Sequence, residues 1–112
     1  MNYAPIRAIT QDEIDTYEND GVVCFRQFFD NKTVELLREM AEENILNPSP
    51  MAIDASQGGT GRFFGDTFVW AHHAPLKEFV WRSPAADMAK AVLKSNKINV
   101  IFDQFLIKDP GT

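Results

Sequence analysis

From Ile98 to Lys108 the side chains keep a two-residue beat. Ile98, Val100, Phe102, Gln104, Leu106 and Lys108 share one face, and Asn99, Ile101, Asp103, Phe105 and Ile107 share the other. Both faces are mainly apolar, which predicts a core strand covered on both sides. Upstream the beat lengthens to that of helices. Thr10 and Glu13 form a capping box for a helix beginning at Gln11, Ile9 and Ile14 are placed as a hydrophobic staple, and Gly21 permits the stop. Asp30 is a good N-cap for a second helix from Asn31 to about Leu46, with Phe29 and Val34 as its staple. Its apolar stripe is Val34, Leu37, Ala41 and Ile45, widened by Leu36 and Met40; Glu35, Arg38, Glu39, Glu42 and Glu43 make the wet face. Pro48 and Pro50 end it. Pro75 to Trp81 predicts one or two helical turns with Leu76, Phe79 and Val80 inward. Ser83-Pro84 then opens a last helix, whose stripe of Ala85, Met88, Ala89, Val92 and Leu93 is predicted to pack behind the terminal strand.

Two more segments have strand character. Val22 to Arg26 is β-branched and aromatic, with Cys24 predicted in the core, and Arg62 to Trp70 is a strand interrupted at Gly65-Asp66 by a bulge or kink. The loop Asn47 to Gly61 is long for a compact domain, as lids and substrate walls are. Its Gly58-Gly59-Thr60-Gly61 lacks the following G-K-[ST] of a phosphate cradle. Adjacent His72 and His73 on an extended chain point to opposite sides, so they do not chelate one metal together; an exposed or capping role is the safer expectation.

With 112 residues there is room for one domain with a modest core, of α+β class. Hydrophobic residues are 45% and charged residues 24%, which separates the chain from disordered ones. A net charge of −5 without a basic cluster argues against nucleic acid and anionic lipid as partners. No apolar run reaches the length of a membrane span, and Met1 to Arg7 has no signal-like apolar core, so a cytoplasmic protein is the default expectation. One cysteine excludes an internal disulfide and a cysteine-based zinc site.

The strongest chemical signal is a polar pair inside the apolar terminal segment. Gln104 and Lys108 lie on one face, roughly 13 Å apart along the strand, and a Lys side chain leaning back brings both heads to one small anionic ligand. The ordinary alternative, favoured by spacing alone, has Lys108 reaching water at the strand end and Gln104 paired with a neighbour.

The run D-Q-F-L-I-K-D-P-G-T, preceded by F-F-G-D-T-F-V-W and A-D-M-A-K-A-V-L-K-S, resembles the amino-terminal half of phytanoyl-CoA hydroxylase-like (PhyH) dioxygenases. Y-E-N-D-G-V-V-C-F-R-Q-F-F-D fits the same family, so the resemblance runs from about Thr10 onward. It implies part of a double-stranded β-helix, or jelly roll, with flanking amino-terminal helices. It implies Fe(II) held by an H-x-D motif and a distant second His, with 2-oxoglutarate as co-substrate and a small molecule hydroxylated. Lys108 matches a position near the co-substrate, Gln104 a polar position facing substrate or co-substrate, and Arg62 a basic position at the co-substrate pocket of some members. No H-x-D is present, since His72 is followed by His73 and Ala74. The resemblance therefore implies an amino-terminal portion that lacks the metal ligands and is inactive alone. A non-catalytic fragment that binds a small acid or a partner protein is the alternative. Unpaired strand edges in such a portion predict self-association.

Overall fold

The computed structural model describes residues 1–56 and 58–111; Gln57, expected in the long loop, and Thr112, at the end of the terminal segment, lie outside them. Helix α1 spans Gln11–Asp20, and its capping box is complete: the Thr10 hydroxyl accepts from the Glu13 N–H while the Glu13 carboxylate accepts from the Thr10 N–H. Gly21, at φ 74°, closes it in the left-handed region that glycine enters without penalty. Helix α2 spans Asn31–Leu46 and is capped by Asp30, which accepts from the Thr33 N–H. Both ends agree with the sequence expectation. The buried line of α2 does not, because it runs through Thr33, Met40 and Asn44, while Val34 is 37% exposed. The helix is turned by about one residue because polar contacts hold its two ends. Thr33 exchanges hydrogen bonds with Asn2, and Asn44 reaches into the sheet.

The sheet is antiparallel, in the order β1-β2-β3, from β1 (Ile53–Asp54), β2 (Phe63–Thr67) and β3 (Gln104–Lys108). Four expectations are corrected here. The terminal strand is five residues rather than eleven, and it is not a core strand: Gln104, Leu106 and Lys108 are exposed while Phe105 and Ile107 are half-buried. Among the described residues helices cover only one side of the sheet, and the face of Ile53 and Leu106 is open. Pairing of β2 with β3 runs without interruption from Phe63↔Lys108 to Thr67↔Gln104, so no bulge occurs at Gly65-Asp66. The chain leaves β2 one residue later, at Phe68, whose φ of 57° starts the 3₁₀ turn Val69–Ala71. The loop Asn47 to Gly61 contains β1, paired Ile53↔Gly65 and Asp54↔Phe64. Val22 to Arg26 is not a strand and Cys24 is exposed, since among the described residues no other strand lies alongside to supply hydrogen bonds.

Helix α3 (Ala74–Arg82) buries Leu76 against Met40 of α2 and Val69, with Leu37, Phe79, Val80 and Phe105 packed around them. Each such fully buried side chain contributes about 1.5–3 kcal/mol. Helix α4 (Ala85–Leu93) follows Ser83-Pro84, with the Ser83 hydroxyl accepting from the Ala85 N–H at 3.4 Å. It packs against α1 rather than behind β3, and Lys94 just past its end pairs with Glu18 at 2.8 Å. The covered face of β3 is taken by the α2–α3 core through Phe105, which leaves α4 the amino-terminal helix as its neighbour. Among the described residues no helix is long and apolar enough to cross a membrane.

Candidate functional site

The open face of the sheet is built by strand alternation. Successive side chains point to opposite sides, so Phe64, Asp66 and Phe105 turn toward the helices while Gln104, Leu106 and Lys108 turn away from them. Gly65 lies between Ile53 of β1 and Leu106 of β3, which are 63% and 61% exposed. Across the β2–β3 ladder Gln104 Nε2 donates weakly to Thr67 Oγ1 at 3.4 Å, and Lys108 Nζ stands 5.8 Å from the centre of the Phe63 ring. The surface is thus an apolar floor with an amide at one end and an ammonium at the other.

Arg62 is placed differently. It sits just outside the ladder, where its guanidinium meets Asp109 at 3.2 Å, its N–H donates to the Asp109 carboxylate, and its carbonyl accepts from the Asp109 N–H at 2.8 Å. The structure therefore brings Gln104 and Lys108 to one face and uses Arg62 to tie the sheet end. Several concavities lie elsewhere, the largest of about 660 Å³ beside Arg7, Phe29 and Asp30. One of about 460 Å³ runs between α4 and the segment 98–103, lined by Val80, Ala86, Ala89, Val100 and Phe102. A smaller one of about 190 Å³ is lined by Asn44, Asn47, Ser49, His72 and His73.

Behind the sheet is a polar cluster that sequence reasoning missed. Asp66 is fully buried, and its carboxylate accepts from Asn44 Nδ2 at 2.8 Å, from the Ser49 N–H at 2.8 Å and from the Ser49 hydroxyl. Burial pushes the Asp66 carboxyl up, but the Ser49 and Asn44 hydrogen bonds outweigh it and hold the group below the ordinary aspartate range. The signal for it in the sequence is a charged residue, Asp66, inside an otherwise apolar strand. His73 caps α3 by accepting from the Leu76 N–H through Nδ1, and its Nε2 lies 2.9 Å from Glu43. That bears out the capping role, and it makes Glu43 of the wet face a tether.

Both ring nitrogens of His73 are thereby occupied, and among the described residues no group of three His, Cys, Asp or Glu side chains could hold a metal ion. The side chains present do not fit the Fe(II) that the resemblance implies. A family model described as phytanoyl-CoA dioxygenase (PhyH) matches residues 17–112. No curated protein and no solved structure matches the chain.

Proposed function

The chain belongs to the phytanoyl-CoA dioxygenase (PhyH) family, and on that premise we propose that it supplies one wall of a pocket for 2-oxoglutarate in hydroxylation of a small molecule. The observation that carries this reading is the open face of β3, where Gln104 and Lys108 flank exposed Leu106 on an otherwise apolar surface. A dicarboxylate needs one cationic anchor, and an ammonium flanked by apolar surface is less screened than one free in water. Lys108 provides the charge, the Gln104 amide donates a directional hydrogen bond, and Leu106 beside Ile53 offers apolar surface between them. Arg62 acts behind them, where its contact with Asp109 fixes the end of the strand that carries Lys108. The three-stranded sheet is, in this reading, one part of a double-stranded β-helix, and the protein is cytoplasmic.

A second reading, non-catalytic binding of a small acid or of a partner protein, rests on the same open face. Where the ligand is a small acid, both readings demand that the face bind a dicarboxylate without metal. Titration of ¹⁵N-labelled protein with 2-oxoglutarate in the presence of a chelator is expected to shift the Gln104 side-chain amide and the backbone of Leu106 and Lys108. Lys108→Ala is expected to weaken that response at least tenfold. Shifts confined to other parts of the chain, or none at all, would reject the pocket-wall reading.

A further inference from the structure

Asp66 carries a carboxylate into a fully buried position, and the donors that reach it from Ser49 and Asn44 are neutral. A charge taken out of water is ordinarily paired with one of opposite sign. Asn44 hands the charge on. A carboxylate only accepts, so the amide must turn Nδ2 toward Asp66, which fixes its orientation, and donation to an anion makes the amide oxygen a stronger acceptor. Asn44 is 4% exposed, and its Oδ1 has no hydrogen-bond partner among the described residues. Both side chains are closed off by the described residues themselves, so their burial does not depend on what lies against the sheet.

The same Asn44 lines the cavity of about 190 Å³, and the other walls of that cavity also favour positive charge. Helix α2 ends at it, and the last turn of this 16-residue helix has no basic residue to offset the partial negative charge of its terminal carbonyls. The turn that follows is Asn47-Pro48-Ser49-Pro50. Two of its residues lack an N–H, and Ser49 gives both its N–H and its hydroxyl to Asp66, so the wall is rich in acceptors and poor in donors. The ring nitrogens of His73 are taken up by the Leu76 N–H and Glu43. No Lys or Arg is among the described residues that line the cavity.

We propose that this cavity binds a small monovalent cation, of the size of potassium or ammonium, with Asn44 Oδ1 as its central ligand and the Asn47–Pro50 turn supplying further oxygens. One positive charge fits better than two, because the Asp66 carboxylate acts through Asn44 and Ser49, whereas divalent ions are held by carboxylates that touch them. The volume takes one such ion and a few waters of its shell, at about 30 Å³ each. Bound there, the cation joins the end of α2 to the turn that leads into β1, at the junction that Asp66 holds from the sheet side.

The test is urea unfolding of the full chain in potassium, ammonium or tetramethylammonium chloride at equal ionic strength, the last ion being bulky and without an N–H to donate. At about 100 mM, potassium and ammonium are each expected to raise the folded-to-unfolded ratio about tenfold over tetramethylammonium, as a dissociation constant of about 10 mM requires. In ¹⁵N spectra of the folded protein the Asn44 side-chain amide and the Ser49 N–H are expected to move with the same midpoint. Asn44→Ala is expected to abolish the difference between the salts. Asn47→Lys, which hangs an ammonium on the cavity wall at an exposed position, is expected to be as stable in tetramethylammonium as the wild type is in potassium and to ignore added potassium, a readout that stands even if Asn44→Ala fails to fold. Equal stability of the wild type in all three salts overturns the site, as does a potassium response that survives in either variant or spectral changes that bypass Asn44 and Ser49. A response to only one of the two ions keeps the site and identifies its cation.

Discussion

Asn44 of α2 and Asp66 of β2 meet inside the protein, with Asn44 Nδ2 donating to Asp66 Oδ2 at 2.8 Å in a position shielded from water. This contact, with the two from Ser49, fixes the end of α2 and the following Pro48–Pro50 turn onto the back of the sheet. It sets how the helix layer lies against β2 and, through the β2–β3 ladder, where the open face is held.

Asp66→Ala leaves the Ser49 N–H, the Ser49 hydroxyl and the Asn44 amide facing an empty space, and a buried donor without an acceptor costs about 1–3 kcal/mol. The expected loss is about 3 kcal/mol in urea unfolding. Asn44→Ala is milder, because Asn44 Oδ1 is itself buried without a partner and its removal offsets the lost bond to Asp66; about 1 kcal/mol is expected. A larger loss for Asn44→Ala than for Asp66→Ala would contradict the assignment of Asp66 as the hub.

Acid protonates carboxylates that the fold holds low, among them Glu13 and Asp66. Hydrogen bonds from Arg7, then from the Thr10 N–H, hold Glu13 down from 4.5 to about 2, and Asp66 is lowered as well. A depressed folded value means that the unfolded chain takes up the proton first, so the stabilisation is complete above the ordinary carboxyl range and is lost as pH falls through the folded value. Melting temperature is therefore expected to be flat from neutral pH to about 5 and to fall between about 4.5 and 2. Glu13→Gln should make that fall shallower, while a slope identical to wild type would show that the Arg7–Glu13 pair does not contribute it.

Local signals were legible where they were chemically complete. Thr10 with Glu13, Asp30, and Pro48 with Pro50 fix helix ends through short-range hydrogen bonds and sterics, and the helices begin and end there. The burial of the terminal segment was not legible, because alternation reports which side chains share a face and is silent on whether anything covers it. The polar line of α2 was hidden for a related reason. Thr33 and Asn44 are buried only because Asn2 and Asp66, distant in sequence, supply their partners. Of the site, the shared face of Gln104 and Lys108 followed from parity, while the engagement of Arg62 with Asp109 depended on a register set by the whole ladder.

Cys24 provides a check on the amino-terminal segment. Its V-V-C-F setting reads as core strand, yet the thiol is exposed and Val22 beside it is 68% exposed. An aromatic disulfide reagent is expected to modify Cys24 in the native protein within a fewfold of the rate in denaturant. Protection by orders of magnitude would mean that this segment is covered in solution.

Gly65 offers a substitution whose effects on stability and on binding are expected to run in opposite directions. A Cβ there would meet Gln104 Nε2, Ile53 Cγ1 and Leu106 Cδ1, each at 3.7 Å, ordinary van der Waals distances with no backbone atom in the way. The left-handed region is not involved at this position, so Gly65→Ala carries no strain and restricts the unfolded chain, which stabilises by about 0.4–1 kcal/mol. The added methyl stands on the open face beside the Gln104 amide, where the proposed carboxylate must approach. Chemical denaturation is therefore expected to show a small gain in stability, while a titration with 2-oxoglutarate shows affinity reduced about tenfold, equivalent to roughly 1.4 kcal/mol. A gain in stability with unchanged affinity would remove the ligand from this face, and a loss of stability would show that the sheet is packed differently around Gly65.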